Sequence, residues 1–256
     1  MTYTTIKYET KEGVASMTLC RPGAGNSVNL QMAAELRDIC SLLNQQEDIR
    51  AVIITGAGDT DFCCGEDAVE FSTLPAEELS RACSSAEAVS KVELPVIAAI
   101  NGHVSGIGLA IALACDLRIA SDHVYFSGVD NGHGPPLPTG LTQWLPRIIG
   151  IGKATELLLL NESIDSPAAY QAGLVHKLVP HSEVTAAARK LASSIASKAP
   201  IALKYAKEAV NKGLDLTLEQ GLRLECDLYM ILHTTHDRHE GIKAFQQKRP
   251  PKFEGK

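Results

Sequence analysis

Apolar and polar positions alternate along Val14-Ala-Ser-Met-Thr-Leu19, the period of a strand with one buried face. Ala51-Val-Ile-Ile-Thr55 and Pro95-Val-Ile-Ala-Ala-Ile100 have almost no polar relief and read as strands covered on both faces. Between the first and second of these segments the period changes. Met32, Leu36, Ile39 and Leu43 recur at intervals of four, three and four, which predicts a helix with Asn29 as its N-cap. A second helix is predicted over 76–92. From Gly106 the pattern turns helical, Asp116-Leu-Arg-Ile-Ala120 returns to strand, and a Gly/Pro-rich loop runs from Gly128 to Gly140. Such a loop inside a compact domain usually carries function. Beyond it the chain reads as almost all helix: 142–145, 153–160, 167–172, 183–197 and three further stretches between Ile201 and Phe245. Strands alternating with helices predict an α/β fold.

Length and composition narrow the function classes. At 256 residues the chain fits one large domain, or one domain with a smaller appendage, and a soft boundary is placed at 180–198. Hydrophobic residues at 45% and charged residues at 21% are values of a globular chain rather than a disordered one. The net charge of −6, with no dense Lys/Arg cluster, argues against nucleic acid as a partner. The longest apolar stretch, Gly106 to Cys115, is too short for a membrane helix, and the N-terminus lacks the pattern of a targeting peptide. A cytoplasmic location is expected. The seven cysteines show neither zinc-site spacing nor a secreted framework, so they are expected to be reduced and mostly buried. His233, His236 and His239 recur every third residue and read as a solvated helix face, not a metal site.

Two glycine-bearing segments hold the candidate chemistry. Phe62-Cys-Cys-Gly-Glu-Asp67 follows a strand, and Gly65 permits a tight turn that leaves neighbouring amides unpaired. Asn101-Gly-His-Val-Ser-Gly-Ile-Gly108 follows another strand and opens a helix. Amide donors brought together from two strand ends form an oxyanion hole, one reading among several for glycine turns of this kind. Gly106-Ile-Gly108 lacks the third glycine of a dinucleotide fingerprint. Gly150-Ile-Gly-Lys-Ala-Thr155 lacks the earlier glycine and the hydroxyl residue of a phosphate loop.

These segments, in their order and spacing, resemble the crotonase (enoyl-CoA hydratase/isomerase) superfamily nearly end to end. The resemblance is carried by Arg21-Pro22 with Asn26-Ser-Val-Asn29, by Phe62 to Asp67, and by Pro95 to Gly102. It continues through Gly106-Ile-Gly108 with Cys115-Asp116, Gly140-Leu-Thr-Gln143, Ala168 to Leu174 and Glu240 to Arg249. It implies a crotonase-like spiral of ββα units over 1–195 and a C-terminal helical region, 196–256, for oligomerisation as a homotrimer or homohexamer. It implies an acyl-CoA thioester substrate, with coenzyme A arriving as part of the substrate and no separate cofactor. The backbone N–H groups of Glu66 and Ile107 would then hold the thioester oxygen, flanked by Gly65 and Gly108. The backbone around Cys64 would face the adenine, and Phe245 and Lys248 would reach a neighbouring subunit's coenzyme A.

The departures from the family pattern bear on the reaction. Of the two glutamates that hold water in the hydratases, the first position is Ala110 here and the second is Asp130. The acidic position of the isomerases and aryl-CoA dehalogenases is Pro138. Three readings follow. In the first, Asp130 is the sole general acid/base of an enoyl-CoA hydration or dehydration. In the second, His133 assists Asp130 in another enolate chemistry (C–C bond hydrolysis, decarboxylation or thioester hydrolysis) and the Pro-rich run reshapes an acyl pocket beside Trp144. In the third, the protein binds acyl-CoA without turnover.

Overall fold

The computed structural model describes residues 3–128 and 138–256. The chain begins with an antiparallel pair, β1 (Ile6–Lys11) and β2 (Val14–Leu19), and enters α1 (Leu30–Leu43). Asn29 caps this helix as its sequence predicts, its side chain accepting from the Met32 amide at 2.9 Å. Three turns of a spiral follow, each contributing two strands. They comprise β3 (Ala51–Gly56) and β4 (Asp61–Cys64), followed by α2 (Ala68–Phe71), α3 (Ala76–Cys83) and α4 (Ser85–Ser90); then β5 (Val96–Ile100) and β6 (His103–Ser105), followed by α5 (Gly106–Ala114); then β7 (Leu117–Ser121) and β8 (Tyr125–Ser127). After residue 138 come α6 (Leu141–Ile149), α7 (Ile151–Leu160), β9 (Ser163–Asp165), α8 (Ser166–Gln171) and β10 (Lys177–Val179). The chain ends in α9 (Val184–Ala196), α10 (Pro200–Gly213), α11 (Leu218–Leu232) and α12 (His236–Gln246).

The first strand of each turn joins one sheet, of order β1-β2-β3-β5-β7-β10, and the second joins another, of order β4-β6-β8-β9. β3, β5 and β7 are parallel neighbours, as are β4, β6 and β8. This is the ββα spiral that the resemblance implies. β5 is buried at all five positions because both faces of its sheet are covered. On one side lies the main core with Met32, Leu36 and Ile39 of α1; on the other, Val184, Ala188 and Ala192 of α9 pack on Ile53, Ile97 and Ala99.

The elements differ from expectation in three places. The helix expected over 76–92 is two helices, because Ser84 and Ser85 turn their hydroxyls back onto the carbonyls of Arg81 and Ala82 and the turn between them breaks. Cys40, Cys63, Cys83 and Cys115 are buried as expected, whereas Cys20 and Cys226 are exposed and Cys64 is half-buried. The three histidines do not share a helix: His233 caps the end of α11, whereas His236 and His239 belong to α12. Among the described residues no helix is long and apolar enough to cross a membrane.

Candidate active site

The candidate site stands at the C-terminal ends of β4 and β6. These strands are parallel neighbours, with Cys64 in register with Ser105. Glu66 and Ile107 each lie two residues beyond that pair, so register brings their amides to adjacent strand ends. What sequence reasoning took as two loops after strands includes two short strands, and their pairing is what aligns the donors.

Each amide is held open by its surroundings. Around Glu66, the Val28 amide donates to the Gly65 carbonyl at 2.8 Å, and the Asp67 amide donates to the Val28 carbonyl at 2.8 Å. The Glu66 N–H between them has no backbone acceptor among the described residues. Gly65 adopts φ +91°, the left-handed region that favours glycine, where the chain swings out of β4. Ile107 sits in the first turn of α5, where an N–H has no partner within its own helix. Ser105, at the cap position, makes no side-chain capping bond, so that turn remains free to donate. The helix dipole adds partial positive charge at the same point.

Close packing fixes α5 against β4. A Cβ on Gly108 would stand 2.3 Å from the Cys63 carbonyl oxygen and 2.7 Å from the Cys63 Cβ, so only glycine permits this approach. The other side of the turn is anchored by Asn26, which is fully buried. Its side chain accepts from the Arg21 amide at 3.0 Å and donates to the carbonyls of Ala57 and Asp61 at 2.9 and 2.8 Å. The Cys64 amide donates to the Gly25 carbonyl at 2.9 Å, and Arg21 pairs with Asp67 at 2.8 Å. The Arg21 guanidinium holds the Asp67 carboxyl below the usual range. Arg21, Asn26 and Asp67 are therefore the scaffold of the turn that presents Glu66.

The other expected residues fall as follows. Asp130 and His133 lie outside the described residues. Ala110 is fully buried within α5 and Pro138 is exposed. Trp144, half-buried, lines a cavity of about 1150 Å³ together with Cys83, Leu113, Thr139 and Gly140. Phe245 is 86% exposed, and Lys248, just beyond the end of α12, is exposed as well. Sequence reasoning missed Cys83, whose thiol is pushed up to about 11 by burial and by the nearby Glu66 carboxylate. The spacing of α3 holds no signal for it, because its proximity to Glu66 is purely tertiary.

A two-sheet ββα spiral with backbone amide donors at the ends of adjacent strands defines the crotonase class of α/β fold. The chain belongs to the enoyl-CoA hydratase/isomerase family, which matches residues 9–256. The (E)-benzylidenesuccinyl-CoA hydratase of Thauera aromatica is 38% identical over 259 residues, covering 98% of this chain and 99% of the relative. The crotonyl-CoA hydratase of Syntrophomonas wolfei is 34% identical over 257 residues, covering 99% of both chains. Among solved structures, the enoyl-CoA hydratase from Bacillus anthracis superposes with a TM-score of 0.94 at 36% identity, covering 99% of this chain and 100% of that one.

Proposed function

We propose that this protein hydrates the double bond of an enoyl-CoA thioester, or runs the reverse dehydration, with the amides of Glu66 and Ile107 holding the thioester oxygen. The observation that carries this reading is the register of Cys64 with Ser105, which aligns those two donors at neighbouring strand ends. Relatives named as CoA-ester hydratases support the substrate class. In the forward direction, water attacks the β-carbon and the π electrons move onto the thioester oxygen. The two N–H groups stabilise the resulting enolate, being already oriented before charge develops. Asp130 accepts the proton that the attacking water loses, and the same carboxyl returns a proton to the α-carbon, so one acid/base group closes the cycle. Ala110 carries no proton-transfer group, which leaves Asp130 to serve both steps.

The region 196–256 serves assembly in this reading. α10 has no fully buried residue, and Val210, Leu214, Leu218 and Leu222 are exposed on α10, α11 and the turn between them, a surface suited to burial against other copies in a trimer or hexamer. Phe245 and Lys248 would then lie near a neighbour's coenzyme A, and the backbone at Cys64 near the adenine of its own.

The test is the loss of enoyl-thioester absorbance with crotonyl-CoA. The reading expects wild-type protein to remove the signal and Asp130→Asn to lower the rate by about 10²–10⁴-fold. An unchanged rate in Asp130→Asn overturns the assignment of the acid/base.

A further inference from the structure

We propose that the ion pair between Glu240 and Arg249 is a positioning device for substrate binding: it sets the C-terminal turn that presents Lys248 to the nucleotide half of the coenzyme A ester. The inference rests on the proposed function, which brings that turn near a neighbour's coenzyme A, and it names two residues that act on binding only through the turn. The side chains from Lys243 to the end of the chain are Lys243, Lys248, Arg249, Lys252 and Lys256 against Glu254, a basic end on a chain of net charge −6. The exposed Phe245 ring stands among them. An aromatic face beside exposed cations is the chemistry that takes a base by stacking and its phosphates by charge.

The turn holds a residue in a conformation that its side chain disfavours. At the end of α12 the Lys248 amide donates to the Phe245 carbonyl at 3.2 Å and the Arg249 amide to the Ala244 carbonyl at 3.1 Å, a helix ending whose left-handed residue is usually glycine. Here that residue is Lys248, at φ +53°. A backbone outlier kept at such a place points to a role for the side chain itself. The Lys248 side chain is exposed and its ammonium has no acceptor among the described residues, so its charge is available to a ligand. That of Arg249 is taken: its guanidinium meets both oxygens of Glu240, at 2.6 and 2.8 Å, with 35% and 21% of the two side chains exposed. Glu240 Oε1 also accepts from the Lys252 amide at 2.7 Å. One turn earlier on α12, the buried Asp237 accepts from the amides of Glu254 and Gly255 at 2.7 and 2.9 Å. The tail therefore doubles back along α12 and is fastened at two carboxylates. Of these, Glu240 grips the residue directly after Lys248 and fixes where its ammonium can stand.

Charge alone and positioning predict opposite signs. Removing a carboxylate near a polyanion tightens its binding by Coulomb's law, whereas removing a positioning carboxylate loosens it. The experiment measures kcat and KM from the loss of enoyl-thioester absorbance for crotonyl-CoA and for crotonyl-pantetheine, which has the same thioester and lacks the nucleotide. Glu240→Gln is expected to raise KM for crotonyl-CoA about 3–5-fold, the scale of one exposed charge contact, with kcat and the pantetheine ester unaffected. Lys248→Gly relaxes the turn, so its Tm should rise by about 2–4 °C while KM for crotonyl-CoA rises to a similar extent, a combination that a structural role does not produce. Glu240→Gln added to Lys248→Gly should raise KM no further, because the carboxylate acts through the lysine. A KM for crotonyl-CoA that falls or stays level in Glu240→Gln, a rise shared by the pantetheine ester, an unchanged KM in Lys248→Gly, or additive effects in the double variant overturns the positioning role and leaves the hydratase reading standing. Failure of the wild type to remove the absorbance of either ester overturns the hydratase reading, and the positioning role with it.

Discussion

Gly108 stands against Cys63 so closely that a Cβ would lie 2.3 Å from the Cys63 carbonyl oxygen. That contact seats the first turn of α5 on β4 and so sets the distance between the two candidate oxyanion amides. Gly108→Ala is expected to push α5 outward, costing about 1–3 kcal/mol in stability through overpacking. It should also lower kcat/KM for an enoyl-CoA by about 10²-fold through misplacement of Ile107. Thermal unfolding and steady-state kinetics on the same preparation check both effects. An unchanged kcat/KM would show that the seating of α5 does not govern the site.

Glu35 gives a prediction about pH. Its carboxylate is 4% exposed and accepts hydrogen bonds from the amides of Thr4, Thr5 and Ile6, the hydroxyls of Thr4 and Thr5, and the Gln31 side chain. Burial alone would raise its pKa, but these donors outweigh it and hold the group at about 2, against an ordinary value of 4.5. A carboxyl depressed on folding stabilises the protein fully above its unfolded pKa, and that contribution fades as pH falls from 4.5 toward 2. Glu35→Gln should lose about 2–3 kcal/mol at neutral pH, with the difference from wild type shrinking steadily below pH 4.5. Denaturant titrations at several pH values measure it; a pH-independent difference would contradict the account.

Thr139 predicts a gain. It is 4% exposed and its hydroxyl, out of reach of solvent, has no hydrogen-bond partner among the described residues. A buried hydroxyl of this kind costs its desolvation without return. Thr139→Val keeps the shape and removes the polar atom, so stability should rise by about 1 kcal/mol. That corresponds to about 2–4 °C in Tm for a chain of this size. A lower Tm would show that the hydroxyl is satisfied in solution.

The long periodic segments were legible in the sequence, and the short ones were not. Asn29 as the cap of α1 and the apolar runs of β3 and β5 follow from local pattern, because a 14-residue helix and fully covered strands repeat their signal several times. β4 and β6 have four and three residues, too few to establish a period, so they read as loops although they align the site. The candidates Glu66, Ile107, Gly65 and Gly108 come from the family resemblance joined to the chemistry of glycine turns. The resemblance alone identifies them as a pair, since nothing local to either segment says that they meet. Cys83 and Thr139 carry no local signal; burial beside Glu66 and inside the cavity wall exists only in the folded chain.

The central claim is that the Glu66 and Ile107 amides polarise the thioester carbonyl, and the most direct measurement of it is the carbonyl stretching frequency of a bound, isotope-labelled enoyl-CoA. Ile107→Pro removes one N–H at a helix position where proline is tolerated, and Ile107→Val keeps that N–H with a smaller side chain. A lowered frequency in wild type and Ile107→Val, returning toward that of the free ester in Ile107→Pro with a 10²–10³-fold loss in kcat, is the predicted result. A frequency in wild type equal to that of the free ester, or one still lowered in Ile107→Pro, would contradict it.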